Sequence, residues 1–207
     1  YHVDPADPGL LRLLAGLRRG REERLRGMLR RLHRLGLPLA AAEVRRLAPR
    51  GGPVGRPHLA EALVRRRWVA SVDEAFRHLI GTEGPAYLPN RTPEPEAVLR
   101  TILEAGGIPV LAHPAVYRYE GFLDRFAAAG LLGLEVHHPR HDPVTTRRLR
   151  ALAAERGFLE TGGSDYHGGL PRELPVGSVR PPGGALARLA EARAQVPETL
   201  RRSHGAG

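Results

Sequence analysis

The chain has 207 residues, 32 basic residues against 22 acidic ones, 10 His and no Cys, for a formal charge of +10. That length suits one or two domains with a real core. The absence of Cys excludes a disulfide framework, a zinc ribbon and thiol catalysis, so any metal must rest on His, Asp and Glu. No run of about eighteen apolar residues occurs, which excludes a helical membrane span. The chain opens on Tyr1 with no initiator Met and no signal-peptide pattern, and a cytoplasmic protein is expected.

Every basic residue is Arg, and there is a single Asn and a single Gln. A GC-rich coding bias explains this as well as a functional basic surface does. The charge is compatible with a nucleotide or RNA substrate without establishing one.

The first predicted element is a helix from about Leu10 to Leu35, with Asp7 as N-cap and Pro8 at its first position. Leu11, Leu14, Leu25, Met28, Leu29 and Leu32 form its apolar stripe; Gly36 and Pro38 end it. A shorter helix follows over 41–47, then a loop through Pro49 and Pro53. The run from Leu59 through Leu63 and Val64 is apolar at helical spacing. Ser71 and Glu74 make a capping box for a helix through Phe76 to Leu79. Residues 36–83 therefore read as a small all-helical unit. From Gly84 onward a short strand is expected at 86–88, a helix at 94–105, a strand at 108–112 and a helix at 121–129. A strand at 132–136, a helix capped by Asp142 and running to Arg156, and a strand at 158–161 follow. A last helix spans 186–195, and the tail beyond it is expected to fray. Helices alternating with short apolar strands mean a parallel sheet or barrel covered on both sides.

The strongest chemical signal is Gly162-Gly163-Ser164-Asp165-Tyr166-His167-Gly168, directly after a predicted strand, where parallel α/β folds place functional groups. Asp165 and His167 are two apart, so on an extended backbone both side chains face one way. A carboxylate and an imidazole converging suit a divalent cation, although a Gly-rich turn capped by Asp has the same spacing. His113, before Pro114, closes the strand 108–111 at the same end of the sheet. The run Glu135-Val136-His137-His138-Pro139-Arg140-His141 also follows a strand. Adjacent His137 and His138 point to opposite sides, so at most one of them joins Glu135. His138 and His141, with Glu135, are candidates for substrate contacts or supports behind the ligands, or are ordinary loop residues. Gly55-Arg56-Pro57-His58 opens a helix, a place suited to an anion and equally to a simple helix cap.

Gly-Gly-Ile-Pro-Val-Leu-Ala-His-Pro (106–114), Glu-Val-His-His-Pro (135–139) and Gly-Gly-Ser-Asp-Tyr-His-Gly (162–168) together resemble the polymerase and histidinol phosphatase (PHP) superfamily. Gly-Arg-Pro-His (55–58) and Gly-Pro-Ala-Tyr (84–87) resemble its branch of nucleoside 3′,5′-bisphosphate phosphatases and 5′→3′ exoribonucleases. The resemblance covers about Tyr1 to Val179 and implies a distorted seven-stranded (β/α) barrel with two or three metals. It divides the chain into barrel residues 1–35 and 84–182, a helical insertion at 36–83 and a tail from 183. It implies that His113, Asp165 and His167 are metal ligands, with Mn²⁺ foremost and Zn²⁺, Fe²⁺ or Mg²⁺ as alternatives. Gly55, Arg56, Pro57 and His58 correspond to a substrate-phosphate contact, and Asn90-Arg91 to another. Thr82 stands where relatives often place a basic residue, so no role is transferred there. The family's N-terminal His-x-His has no match, and Tyr1 to Pro5 resembles the stretch after its early ligands. The chain is accordingly expected to be an N-terminally truncated PHP barrel. The expected substrate is a nucleoside 3′,5′-bisphosphate or short RNA, with no membrane and no obligate protein partner. A histidinol-phosphatase-like enzyme and a non-catalytic nucleotide- or RNA-binding remnant are the alternatives.

Overall fold

The computed structural model describes residues 1–49, 52–116, 121–166 and 174–196. His167 and Gly168, as well as the tail from residue 197, lie outside the described residues. The chain divides into two compact units, Tyr1–Leu11 with Glu94–Gly207, and Arg12–Pro93.

The second unit is helical. Helix α1 (Pro8–Arg34) starts where Asp7 Oδ1 accepts the Leu10 N–H at 2.6 Å, the capping expected of Asp before Pro. Its later turns bury Leu25, Met28, Leu29 and Leu32 at three- and four-residue spacing. Gly36, at φ +78°, lets the chain reverse there, and the Leu37 N–H returns to the Leu32 carbonyl at 3.0 Å. The α1 stripe packs with Val44 of α2 (Ala41–Arg45), Leu59 and Leu63 of α3 (Arg56–Arg65) and Ala75 of α4 (Val72–Ala75). Because those α1 residues share this core, the helical unit is wider than the insertion expected over 36–83. At α4, Ser71 Oγ accepts the Glu74 N–H at 3.1 Å. The helix then widens into one π turn, Phe76–Ile80, closed by the Gly81 N–H on the Phe76 carbonyl at 2.8 Å. A Cβ at position 81 would meet that carbonyl, so glycine is required there.

The strand expected at 86–88 does not form. The Ala86 N–H donates to the Leu79 carbonyl at 2.9 Å and the Tyr87 N–H to that of Gly84 at 3.0 Å. These turn bonds occupy the donors that a ladder needs.

The first unit is α/β. After α5 (Pro95–Glu104) come β1 (Val110–Leu111), a 3₁₀ turn at Pro114–Val116, α6 (Leu123–Ala128), β2 (Gly133–His137), α7 (Pro143–Arg156), β3 (Leu159–Gly162) and α8 (Ala185–Gln195). The three strands are parallel, in the order β1-β2-β3. Strand β1 is shorter than the five residues expected. Ile108 exchanges both backbone hydrogen bonds with Tyr1 at 2.9 Å, and Pro109 has no N–H to give. Asp142 Oδ1 caps α7 on the Thr145 N–H at 2.7 Å, and Gly157, at φ +66°, ends it. Leu134 and Val136 of β2 are buried with Leu99, Leu123 and Leu149. Ile108 and Leu103 pack instead with Leu189 of α8. Among the described residues no helix is long and apolar enough to cross a membrane.

Candidate functional site

Parallel strands bring their C-terminal ends to one edge, and the residues that follow them share it. His113 follows β1, His138 and His141 follow β2, and Asp165 follows β3. The His113 N–H donates to Glu135 Oε2 at 2.8 Å, which ties the end of β1 to the middle of β2. The His113 and His138 rings lie 5.3 Å apart, and those of His138 and His141 5.2 Å apart. His138 Nε2 stands 3.4 Å from Asp165 Oδ2, an ion-pair distance whose geometry falls short of a hydrogen bond. His113 and Asp165 thus flank one buried imidazole.

A bulge decides which of the paired histidines enters. Glu135 opposes Thr161 and His137 opposes Gly162, so Val136 is the extra residue. Beyond it His138 turns to Asp165, while His137 Nε2 bonds Glu160 Oε1 at 2.6 Å away from that cluster. The backbone is also unusual at the ends of β1 and β3. His113 has φ +33° and Asp165 φ +53°, a region that non-glycine residues seldom occupy. Such strain persists where the surroundings hold it, and it collects at functional sites.

The hydrogen bonds specify the imidazole tautomers. His138 Nδ1 accepts the Arg140 N–H at 3.1 Å, so in the neutral ring the proton is on Nε2, facing Asp165. His141 Nδ1 lies 2.9 Å from the Val136 carbonyl and must be the donor. Its buried Nε2 lone pair then has no hydrogen-bond partner among the described residues, the arrangement common in metal-binding imidazoles. His141, read from the sequence as a support, therefore has the donor chemistry of a ligand, and His138 that of a group orienting the Asp165 carboxylate. Imidazole and carboxylate donors suit Mn²⁺, Zn²⁺, Fe²⁺ or Mg²⁺. Among the described residues, however, no three of them are disposed to hold one ion. The donor set fits a divalent cation in chemistry and is partial in geometry.

The Glu160 carboxyl was not singled out from the sequence. Burial pushes its pKa up, but hydrogen bonds from Arg150 at 3.0 Å and from His137 outweigh this and hold it below the usual 4.5. A depressed carboxylate contributes stability above its unfolded pKa, and that stability is lost as pH falls through the folded value. Urea midpoints measured from pH 6 downward are expected to fall more steeply for the native chain than for Glu160→Gln once below about pH 4.5. Equal slopes would remove Glu160 as a source of acid sensitivity.

In the helical unit Arg56 begins α3, its guanidinium 5.4 Å from the Phe76 ring centre and 5.5 Å from that of Tyr87. His58 Nδ1 accepts the Gly55 N–H at 3.0 Å, leaving the His58 Nε2–H as a donor. Pro57 is exposed beside them. Asn90 lines a cavity with Gly55 and Arg56, and Arg91 lines another hollow with Arg12 and Gly16.

The chain is 30% identical over 170 residues to the 3′,5′-nucleoside bisphosphate phosphatase of Chromobacterium violaceum, covering 80% of this chain and 60% of that protein. It is 28% identical over 175 residues to the 5′-3′ exoribonuclease Rnm of Escherichia coli K12, covering 82% and 59%. A crystal structure from Bifidobacterium adolescentis, assigned as a metal-dependent phosphoesterase, superposes with a TM-score of 0.79 at 30% identity, over 92% of this chain and 68% of that one. No family profile matches the chain. These similarities, to bisphosphate phosphatases, 5′-3′ exoribonucleases and a metal-dependent phosphoesterase, support the resemblance to the PHP superfamily. The chain spans about 60% of the length of the curated relatives that it matches.

Proposed function

We infer that the protein is a metal-dependent phosphoesterase. Its substrates are nucleoside 3′,5′-bisphosphates, cleaved at the 3′-phosphate, or short RNA trimmed from the 5′ end. The observation that carries this reading is the pairing of His113 and Asp165 about His138, both in left-handed backbone at the ends of parallel strands. The relatives named above support it, and so does the donor chemistry. The α/β unit is read as part of a distorted (β/α)₇ barrel to which β1–β3 contribute, with the helical unit inserted in it.

His113, Asp165 and His167 are assigned to the metals, Mn²⁺ foremost, and His141 joins them on its Nε2 lone pair. Bound divalent cations supply Lewis acidity and a water of lowered pKa. The protein's own part is positioning. Glu135 holds the His113 backbone, and the His138 Nε2–H stands 3.4 Å from one Asp165 oxygen. Arg56 and the His58 Nε2–H hold the phosphate that is not cleaved, which orients the one that is.

The assay that tests this uses residues 1–207 joined behind the N-terminal part of the C. violaceum relative, with Mn²⁺. Cleavage of 3′-phospho-AMP is expected to exceed that of histidinol phosphate by about 10²-fold or more in kcat/KM, the scale of an unmet charged contact. Arg56→Gln is expected to remove most of that preference. Preference for histidinol phosphate would move the chain to the other enzymatic reading. Nucleotide binding without hydrolysis of either ester would favour a binding protein.

A further inference from the structure

Regular alternation along β2 would put His137 on the face of Glu135 and send His138 to the opposite, helix-covered one. The strand begins that way. Leu134 and Val136 are buried with Leu149 of α7, while Glu135 turns to the His113 N–H. His137 then breaks the pattern by staying on the α7 side with Val136. Its Nε2 bonds Glu160 Oε1 at 2.6 Å, and the same oxygen accepts the Arg150 Nε–H of α7 at 3.0 Å. Two successive side chains thus share one face, and His138 takes the other. There its ring lies 5.3 Å from that of His113 and its Nε2 3.4 Å from Asp165 Oδ2.

Apolar burial does not choose between these two arrangements, because Leu134 and Val136 keep the same face in both. The bulge also leaves Val136 without a partner residue on β3. What the bulged arrangement adds is the contact at His137. The His137 and Glu160 side chains are only 17% and 19% exposed, so a carboxylate that lost this donor would be poorly compensated by water. A hydrogen bond onto an ionised acceptor is among the stronger ones available to a side chain.

We propose that Glu160 is a positioning residue for the candidate site: it holds His137 against α7 and thereby selects the bulged register that delivers His138 to Asp165. This deepens the reading of His113 and Asp165 as metal-site residues and rests on it.

The test is read first in the metal-free 207-residue chain, by NMR in EDTA at neutral pH. The ring protons of His113 and His138 are expected to give a nuclear Overhauser cross-peak in the native chain. Glu160→Leu, which offers no acceptor, is expected to weaken it severalfold. Glu160→Gln keeps an oxygen for the His137 N–H and is expected to retain it, although both variants lose the ion pair with Arg150. A merely structural carboxylate would lower Tm in Glu160→Leu and leave the cross-peak native, which overturns the proposal. Loss of the cross-peak in Glu160→Gln as well would overturn it too, since the acceptor would then not be what selects the register. If Glu160→Leu does not fold, His137→Ala removes the same bond from β2, and a native cross-peak in that variant sinks the idea. In the chain joined behind the N-terminal part of the C. violaceum relative, with Mn²⁺, Glu160→Leu is expected to lower kcat for 3′-phospho-AMP by about 10²-fold, the cost of a misplacement of about 1 Å. KM is expected to stay near native, because Arg56 and His58 are untouched. Undiminished kcat in that variant would count against Glu160. No turnover by the native joined chain would instead retire the metal-site reading, on which the NMR result does not depend.

Discussion

Assayed alone with Mn²⁺, residues 1–207 are expected to cleave 3′-phospho-AMP at least ~10²-fold more slowly than the chain joined to the N-terminal part of the C. violaceum relative. That factor is the low end for losing one electrostatic stabiliser of a transition state. The reason lies in the donors. No His-x-His occurs in the 207 residues, and the chain spans 60% of that relative. His113, His141 and Asp165 are at the sheet edge, but among the described residues no three groups are disposed to hold one ion. A cation held by too few groups loses the clamp on attacking and leaving oxygens that two-metal chemistry requires. Mn²⁺ affinity, followed by calorimetry, is expected to be weak in the short chain and to rise in the joined one. Equal turnover by the two proteins would show that the ligand transfer is wrong.

Gly162→Ala is expected to destabilise the protein by about 1–3 kcal/mol, the usual cost of overpacking a site that cannot yield. A Cβ at 162 would stand 2.5 Å from the His137 Cβ and 2.6 Å from its carbonyl oxygen. Neither can move without disturbing the bulge at Val136, from which His138 turns toward Asp165. At about 2–4 °C per kcal/mol for a protein of this size, a clear fall in Tm follows. Gly163→Ala is the control. Its Cβ meets only Glu135 Oε1, at the ordinary contact distance of 3.5 Å, and it is expected to stay within about 0.5 kcal/mol of the native chain. A Gly162→Ala protein as stable as that control would show that the β2–β3 junction has slack.

Elements whose signals are local were legible in the sequence. Asp7 before Pro8, Ser71 before Glu74 and Asp142 before Pro143 each mark a helix start, because a side-chain oxygen satisfies a backbone donor within three residues. The apolar runs at 132–136 and 158–161 likewise identify β2 and β3, since a strand buried on both faces has nothing to alternate with. The glycine-rich stretch after β3 points to Asp165, and His113 is marked by its place between an apolar run and Pro114.

What depends on partners distant in the chain was decided by tertiary structure. Residues 86–88 have strand composition, but their N–H groups are taken by Leu79 and Gly84. Ile108, just before β1, is bonded through its backbone to Tyr1, more than a hundred residues away. Alternation alone leaves open which of His137 and His138 joins Glu135; the bulge opposite Gly162 sends His138 to Asp165 and His137 to Glu160. Arg21 and Arg24, three apart on α1, share a helix face, and that spacing was the available hint of a basic wall to the cavity that Asn90 lines. Yet nothing in the sequence places Arg24 beside Arg56 at Tyr87. A like-charged pair leaves no periodicity, cap or motif; it exists only once α1 and α3 have packed on their shared apolar core.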